Sequence, residues 1–307
     1  MSSERATWVA AAVAVAALAA GATYGIEALG AEAKPKPAAQ PKVTKPTLPA
    51  PKPVEAFTAN LSVRDGSSYG AGMPVSIKFN QPVKDQQRVR ESIKVTSDSG
   101  REIRGRWFST QRLDFRPQTY WKAGERVTVK GATDEPVTFT VSRRQVSTVD
   151  VEAKTMTVER DGKVLKRVPI SAGSDEHPTY NGAMVVSERL EETRMSGDSV
   201  GLVDEDGKPE YDIPDVPHAM RLTNSGTFIH GNYWANRQQY GKFNTTHGCI
   251  GMFDARERDQ ETHGKWFFEN SMIGDVVEVK NSADETVKPD NGLNSWNSSW
   301  NEWMKQS

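Results

Sequence analysis

The chain has 307 residues, enough for two modest domains with appendages, and 39 Lys+Arg against 40 Asp+Glu leave a formal net charge of −1. That balance excludes general polyanion binding, so no nucleic-acid partner is expected. A single cysteine, Cys249, excludes an intramolecular disulfide framework.

Residues 1–30 read as an N-terminal membrane anchor or a signal peptide. Ala6 to Ile26 carry no charge and are rich in Ala and Val, long enough to span a bilayer, while Ala31-Glu32-Ala33 fits a cleavage pattern. Either reading exports the rest of the chain, to act membrane-anchored or secreted. Residues 31–56 are a Pro/Lys/Ala-rich linker, whose prolines favour an extended spacer reaching on the order of 80 Å at about 3.1 Å per residue.

Residues 57–143 predict a small β-sandwich. Val75–Phe79, Ile93–Thr96, Val127–Lys130 and Val137–Val141 alternate apolar with polar positions, between Gly, Pro, Asp and Ser clusters. With no His or Cys, this stretch offers no catalytic constellation.

Residues 144–280 predict a second β-rich body. Met156 to Ile170 form a hairpin turning at Asp161-Gly162. The strand-like run Gly226 to Ile229 ends on His230. A helix is expected from Asp254, with that residue as N-cap and Glu257 three positions on, running toward Asn270. Asp275–Val279 supply a final strand. In the polar residues 281–307, Trp296, Trp300 and Trp303 recur at i, i+4 and i+7, which predicts one helix whose aromatic stripe packs on the neighbouring domain.

The chemistry concentrates at Thr246-His247-Gly248-Cys249, which follows His230-Gly231. A thiol needs a base to become a nucleophile, and an imidazole at a strand end facing a Gly-rich turn supplies one. A backbone carbonyl near Gly231 is a candidate to fix the base's tautomer. Gly197-Asp198-Ser199-Val200-Gly201 matches the serine-hydrolase G-x-S-x-G pattern but lacks the strand-to-helix context that pattern requires. A zinc site on His230, His247 and Cys249 is the competing reading of the cluster; His177, His218 and His263 show no ligand spacing, and no metal or cofactor is expected.

HGNYW followed by THGC resembles the signature of the L,D-transpeptidases, YkuD-type cysteine enzymes of bacterial cell walls. GMPVSIKFNQPV and LDFRPQTYWKAG resemble the Ig-like domain that precedes many such domains. HPTYNGAMVVSE, TRMSGDSVGL and PHAMRLTNSGTFIH resemble the substrate lid and the strand leading to the base, and NSWNSSWNEW a Trp-rich C-terminal extension. The fold implied is mainly β: an Ig-like β-sandwich, then a β-rich catalytic domain with a short helix and that extension. The resemblance implies Cys249 as nucleophile, His230 as its base, the Gly231 carbonyl orienting His230, Gly248 and Cys249 amides as oxyanion hole, and His247 supporting the loop. It implies substrate contacts from Tyr180, Met195, Asn232, Tyr233, Trp234 and Thr246. Gly251 departs from the family pattern, where Asn or Arg is common. The reaction implied is acyl transfer on peptidoglycan: Cys249 attacks the L-centre of diaminopimelate in a donor stem tetrapeptide, releases D-alanine, and passes the acyl group to an amine of an acceptor stem, forming a 3→3 cross-link. Water as acceptor would make an L,D-carboxypeptidase. Carbapenem acylation, glycan contact through the Ig-like domain and membrane contact through the N-terminus complete the expectation.

Overall fold

The computed structural model describes residues 58–256 and 260–305. The expected anchor or signal peptide and the Pro-Lys spacer lie outside them. Among the described residues, no helix is long and apolar enough to cross a membrane.

The first sandwich sheet is built from β1 (Ala59–Leu61), β3 (Val75–Phe79), β6 (Arg112–Pro117) and β5 (Ile103–Ser109) in that order. The second runs β2 (Ser68–Gly70), β8 (Val137–Arg143), β7 (Arg126–Lys130) and β4 (Lys94–Ser97), with the short helix α1 (Gln86–Ser92) crossing between the sheets. Alternation explains the core: Val75, Ile77 and Phe79 of β3 meet Val127, Val129, Phe139 and Val141 of the opposite sheet. Trp121 is completely buried because its indole N–H donates to the Met73 carbonyl at 2.7 Å while its ring lies edge-on to Phe139.

The second body is a nine-stranded sheet. Its strands are β9 (Gln145–Asp150), β10 (Thr155–Arg160), β11 (Lys163–Ser171), β12 (Gly182–Val185), β13 (Glu188–Ser196), β14 (Asp212–Arg221), β15 (Phe228–Asn232), β16 (Ile250–Phe253) and β17 (Val276–Lys280). The spatial order is β12-β17-β9-β10-β11-β16-β15-β14-β13. The β10–β11 hairpin turns at Asp161 and Gly162, both at positive φ (51° and 81°), the primed-turn geometry that an Asp-Gly pair favours. Met156, Val158, Val168, Ile170, Ile229, Ile250 and Met252 form the core face, and helix α2 (His263–Glu269) covers it with Phe267 and Phe268.

Two helix expectations change. Asp254 does not cap a helix: its carboxylate is 1% exposed and already engaged with other partners, so α2 starts at His263 with Thr262 as N-cap, whose hydroxyl accepts the Lys265 N–H. The three tryptophans do not share one helix either. Trp296 lies in a 3-10 turn (Ser295–Asn297) and Trp300 and Trp303 in α3 (Trp300–Lys305). Between them Ser299 and Glu302 exchange backbone-to-side-chain bonds, a capping box that starts a new helix.

The tryptophans nevertheless converge on the sandwich as expected. The guanidinium of Arg116, on β6, lies 4.2 Å from the Trp303 ring centre and 4.9 Å from that of Trp296, and donates to the Ser298 carbonyl at 2.7 Å. Arg112 bridges the same surfaces, holding Asp114 with two bonds and donating to the carbonyls of Asp290 and Gly292 at 2.7 Å each. At the opposite side of the contact, Arg143 pairs with the buried Asp275 at 2.8 Å.

Candidate active site

β15 and β16 run parallel, with Ile229 level with Ile250 and His230 level with Gly251. Side chains alternate along a strand and register partners share a face. Ile229 and Ile250 therefore enter the core, while Phe228, His230 and the approach to β16 at Cys249 face the other way. The strand runs past His230 to Asn232 rather than ending on it. Gly251, opposite the imidazole, interposes no side chain.

His230 is 4% exposed, and its Nδ1 lies 2.7 Å from the Gly231 carbonyl. That bond assigns the proton to Nδ1 and leaves Nε2 as the basic nitrogen. Burial holds the imidazole below its ordinary pKa, against the raising effects of the Gly231 bond and the Asp254 charge. Asp254, which the sequence pattern suggests as a helix cap, instead sits behind His230. Its Oδ2 contacts His218 Nδ1 at 2.7 Å, and its Oδ1 accepts from Thr262 Oγ1 at 2.6 Å and Ala255 N–H at 2.9 Å. His218 is itself buried and holds a positive φ of 50°, uncommon for a residue with a side chain. The carboxylate occupies space freed by two glycines: a Cβ on Gly231 would fall 2.0 Å from Oδ2, and one on Gly264 2.2 Å from it.

The loop carrying the thiol is tied to the strand edge beside it. Thr246 donates its N–H to the Ala172 carbonyl at 3.1 Å and its hydroxyl to the Cys249 carbonyl at 2.6 Å, and Ser174 N–H donates to the Thr246 carbonyl at 2.9 Å. Gly248 turns the chain at φ 97°, which favours glycine. Cys249 is half-buried; its Sγ receives the Phe228 N–H at 3.4 Å and has the Gly226 carbonyl as acceptor at 3.8 Å. Burial pushes the thiol up to about 11, with the Phe228 N–H opposing. No hydrogen bond joins it to His230 among the described residues. Both shifts favour the uncharged forms of the imidazole and the thiol.

Both groups open into a cavity of about 480 Å³. Met195, Asn232, Trp234, Thr246 and His247 line it with them. Trp234 stacks on His230 with ring centres 5.9 Å apart. Two residues expected there lie elsewhere. Tyr180 packs against the sheet's core, and Tyr233 turns its hydroxyl to Asp215. The wall also includes Tyr211, Arg221, Asn224 and Phe228, which the sequence reading missed. Alternation from His230 would have found Phe228, two residues back on the same strand; Arg221 is its register partner on β14, and Tyr211 and Asn224 lie just outside the two ends of β14. Ser199 lines the cavity from a 3-10 turn (Gly197–Val200), its hydroxyl bound to the Ser196 carbonyl at 2.7 Å, so the G-x-S-x-G run forms no nucleophile elbow.

Comparison with known proteins agrees with this architecture. Residues 1–136 match the bacterial Ig domain family and residues 144–279 the L,D-transpeptidase catalytic domain family. L,D-transpeptidase 2 of Mycobacterium tuberculosis (strain CDC 1551 / Oshkosh) is 30% identical over 252 residues, covering 78% of this chain and 59% of that protein. L,D-transpeptidase 5 of M. tuberculosis (strain ATCC 25618 / H37Rv) is 28% identical over 275 residues, 83% of this chain and 57% of that one. The chain thus spans less than two thirds of the length of these two relatives. The solved structure of LD transpeptidase LdtMt1 in complex with imipenem superposes with a TM-score of 0.65 at 27% identity, covering 74% of this chain and all of that one (100%). The chain thus carries an L,D-transpeptidase catalytic domain preceded by a bacterial Ig-like domain.

Proposed function

We propose that this chain cross-links peptidoglycan with Cys249 as nucleophile. The observation that carries the reading is the placement of a half-buried thiol, just ahead of β16, and a buried imidazole on the parallel strand β15 at the wall of one cavity. Because both shifts favour the uncharged forms, the proton moves during attack. As Sγ approaches the L-centre carbonyl of diaminopimelate in a donor tetrapeptide, His230 Nε2 takes the thiol proton, and Nδ1 stays bound to the Gly231 carbonyl. The charge that develops on the substrate oxygen falls to the Gly248 and Cys249 amides, with His247 supporting the loop. Collapse of the tetrahedral intermediate breaks the amide bond and releases D-alanine, which leaves with the proton held by His230. The amine of an acceptor stem then attacks the thioester, giving a 3→3 cross-link and freeing the thiol.

Met195, Trp234, Asn232 and Thr246 are the substrate contacts this reading favours, since all four line the cavity. The reading assigns residues 57–143 to the Ig-like domain, 144–280 to the catalytic domain and 281–307 to the extension, and puts the enzyme outside the cytoplasm, at its wall substrate. Intact mass of the protein incubated with a carbapenem tests it: the wild type gains one adduct and Cys249→Ala gains none. An unmodified wild type, or an equal adduct on the variant, overturns the nucleophile assignment. Incubation with disaccharide-tetrapeptide then separates transfer from hydrolysis, since dimers mean transpeptidation and tripeptide alone means carboxypeptidation.

A further inference from the structure

Three groups that the acyl-transfer reading uses only in part, or not at all, meet around His247, which itself lines the cavity. His177 lies in the turn after β11, Glu210 in the lid before β14, and His247 two residues ahead of the thiol. His177 Nε2 and His247 Nε2 approach the same oxygen, Glu210 Oε2, at 3.4 and 3.3 Å. The three candidate ligand atoms all lie within 4.8 Å of one another, and the imidazole centres are 5.0 Å apart.

The lengths carry information. A good N–H···O bond measures about 2.7–3.2 Å, and both contacts are longer than that. Ligands about 2.0–2.1 Å from a tetrahedral zinc ion stand roughly 3.3–3.4 Å apart, the edge of that tetrahedron. The two contacts have the edge length rather than the hydrogen-bond length. Two imidazoles and one carboxylate are a donor set that zinc accepts, with a fourth position left open.

The scaffold suits such a site. The histidines are fixed to one another independently of the lid, because Gly173 bridges to Thr246 and Ser174 N–H donates to the Thr246 carbonyl at 2.9 Å. The His177 N–H is in turn held by Ser174 Oγ at 3.3 Å, and the Tyr211 ring lies 4.9 Å from that of His247. The three side chains are 27%, 30% and 34% exposed, so an ion reaches them without any opening of the fold. The carboxylate comes from the lid and both imidazoles from the body that holds Cys249.

We propose that His177, Glu210 and His247 form a binding site for a divalent transition metal of the zinc type, whose occupation ties the lid to the Cys249 loop. The site takes one ion between two Nε2 atoms and one carboxylate oxygen. Its effect on Cys249 acylation rests on the function proposed above; the binding itself does not.

Calorimetric titration of the full-length protein with zinc chloride tests the site, using wild type, Glu210→Gln, His177→Ala and Cys249→Ala. The expected result is one ion per chain in the wild type and in Cys249→Ala, weakened at least about tenfold in Glu210→Gln and His177→Ala. Circular dichroism shows whether those two surface variants keep the fold. Equal binding by all four proteins, no binding by the wild type at millimolar zinc, or loss in Cys249→Ala alone overturns the site; the last would put the metal on the thiol. Carbapenem acylation measured with zinc and with a chelator then reads the lid. Zinc slows the wild type and leaves Glu210→Gln unchanged; equal slowing of both refutes the closure. Failure of the metal-free wild type to acylate would refute the proposed function and leave the calorimetric result standing.

Discussion

Two glycines flank the imidazole and predict opposite outcomes for one substitution. In Gly231→Ala the new Cβ would lie 2.0 Å from Asp254 Oδ2 and 2.7 Å from Asp254 Cβ and Cγ, far inside the 3.4 Å at which ordinary contact begins. The carboxylate has no room to yield, since His218, Thr262 and Ala255 hold it and Gly264 backs it. The strand must move instead, carrying the carbonyl that orients His230. Overpacking of this kind costs about 1–3 kcal/mol, or a fall in Tm of roughly 2–12 °C at about 2–4 °C per kcal/mol for a chain of this size. Displacing the base by about 1 Å lowers the rate by about 100-fold. In Gly251→Ala the Cβ meets nothing closer than 3.6 Å, so stability and rate stay near wild type. Thermal unfolding and the rate of carbapenem adduct formation measure both variants. A Gly231→Ala protein with wild-type Tm and rate would refute the wedge behind the base.

A thiol at about 11 leaves roughly one thiolate in 10⁴ at pH 7, so alkylation of Cys249 by iodoacetamide should rise about tenfold per pH unit from 7 to 10. A rate already level at pH 7 would mean a resting ion pair. The depressed His230 stays neutral where the unfolded chain binds a proton, so its contribution to stability is present above about pH 6.5 and lost as pH falls below it. The fall of Tm from pH 7.5 to 5 should therefore be shallower in His230→Gln, and equal slopes would contradict the assignment. Arg116→Ala removes a 1%-exposed cation from three indole faces and the Ser298 carbonyl, at a cost of about 3–5 kcal/mol. Differential scanning calorimetry should show a drop above about 6 °C with acylation per folded molecule unchanged; a drop under about 2 °C would count against the clamp.

What the chain revealed before folding was whatever is local. Asp161-Gly162 announces its hairpin because both residues tolerate positive φ, and the alternating Val75, Ile77 and Phe79 all enter the sandwich core. The Cys249–His230 pair was legible through its motif, with the register of β15 and β16 supplying the shared face. Contacts between distant segments were not. Asp254 looks like a cap because Glu257 follows it, and only the fold brings His218 and Thr262 to its carboxylate. His177 and His247 are 70 residues apart, and their meeting depends on the Gly173–Thr246 bridge. The broken Trp helix has a local signal, since Ser299-Trp300-Asn301-Glu302 is a capping box, but the i, i+4, i+7 spacing of the indoles mimics one continuous helix.

The clasp of Arg112 and Arg116 on residues 290–303 closes the chain on itself. The sandwich and the catalytic sheet are joined covalently at β8–β9, and again, without a covalent bond, by the returning C-terminal segment. A protease that nicked the β8–β9 joint would leave two fragments travelling as one particle through a sizing column. A tug on one body would reach the other through two parallel connections, so the pair resists bending as a strut with two struts' footing rather than as beads on a string.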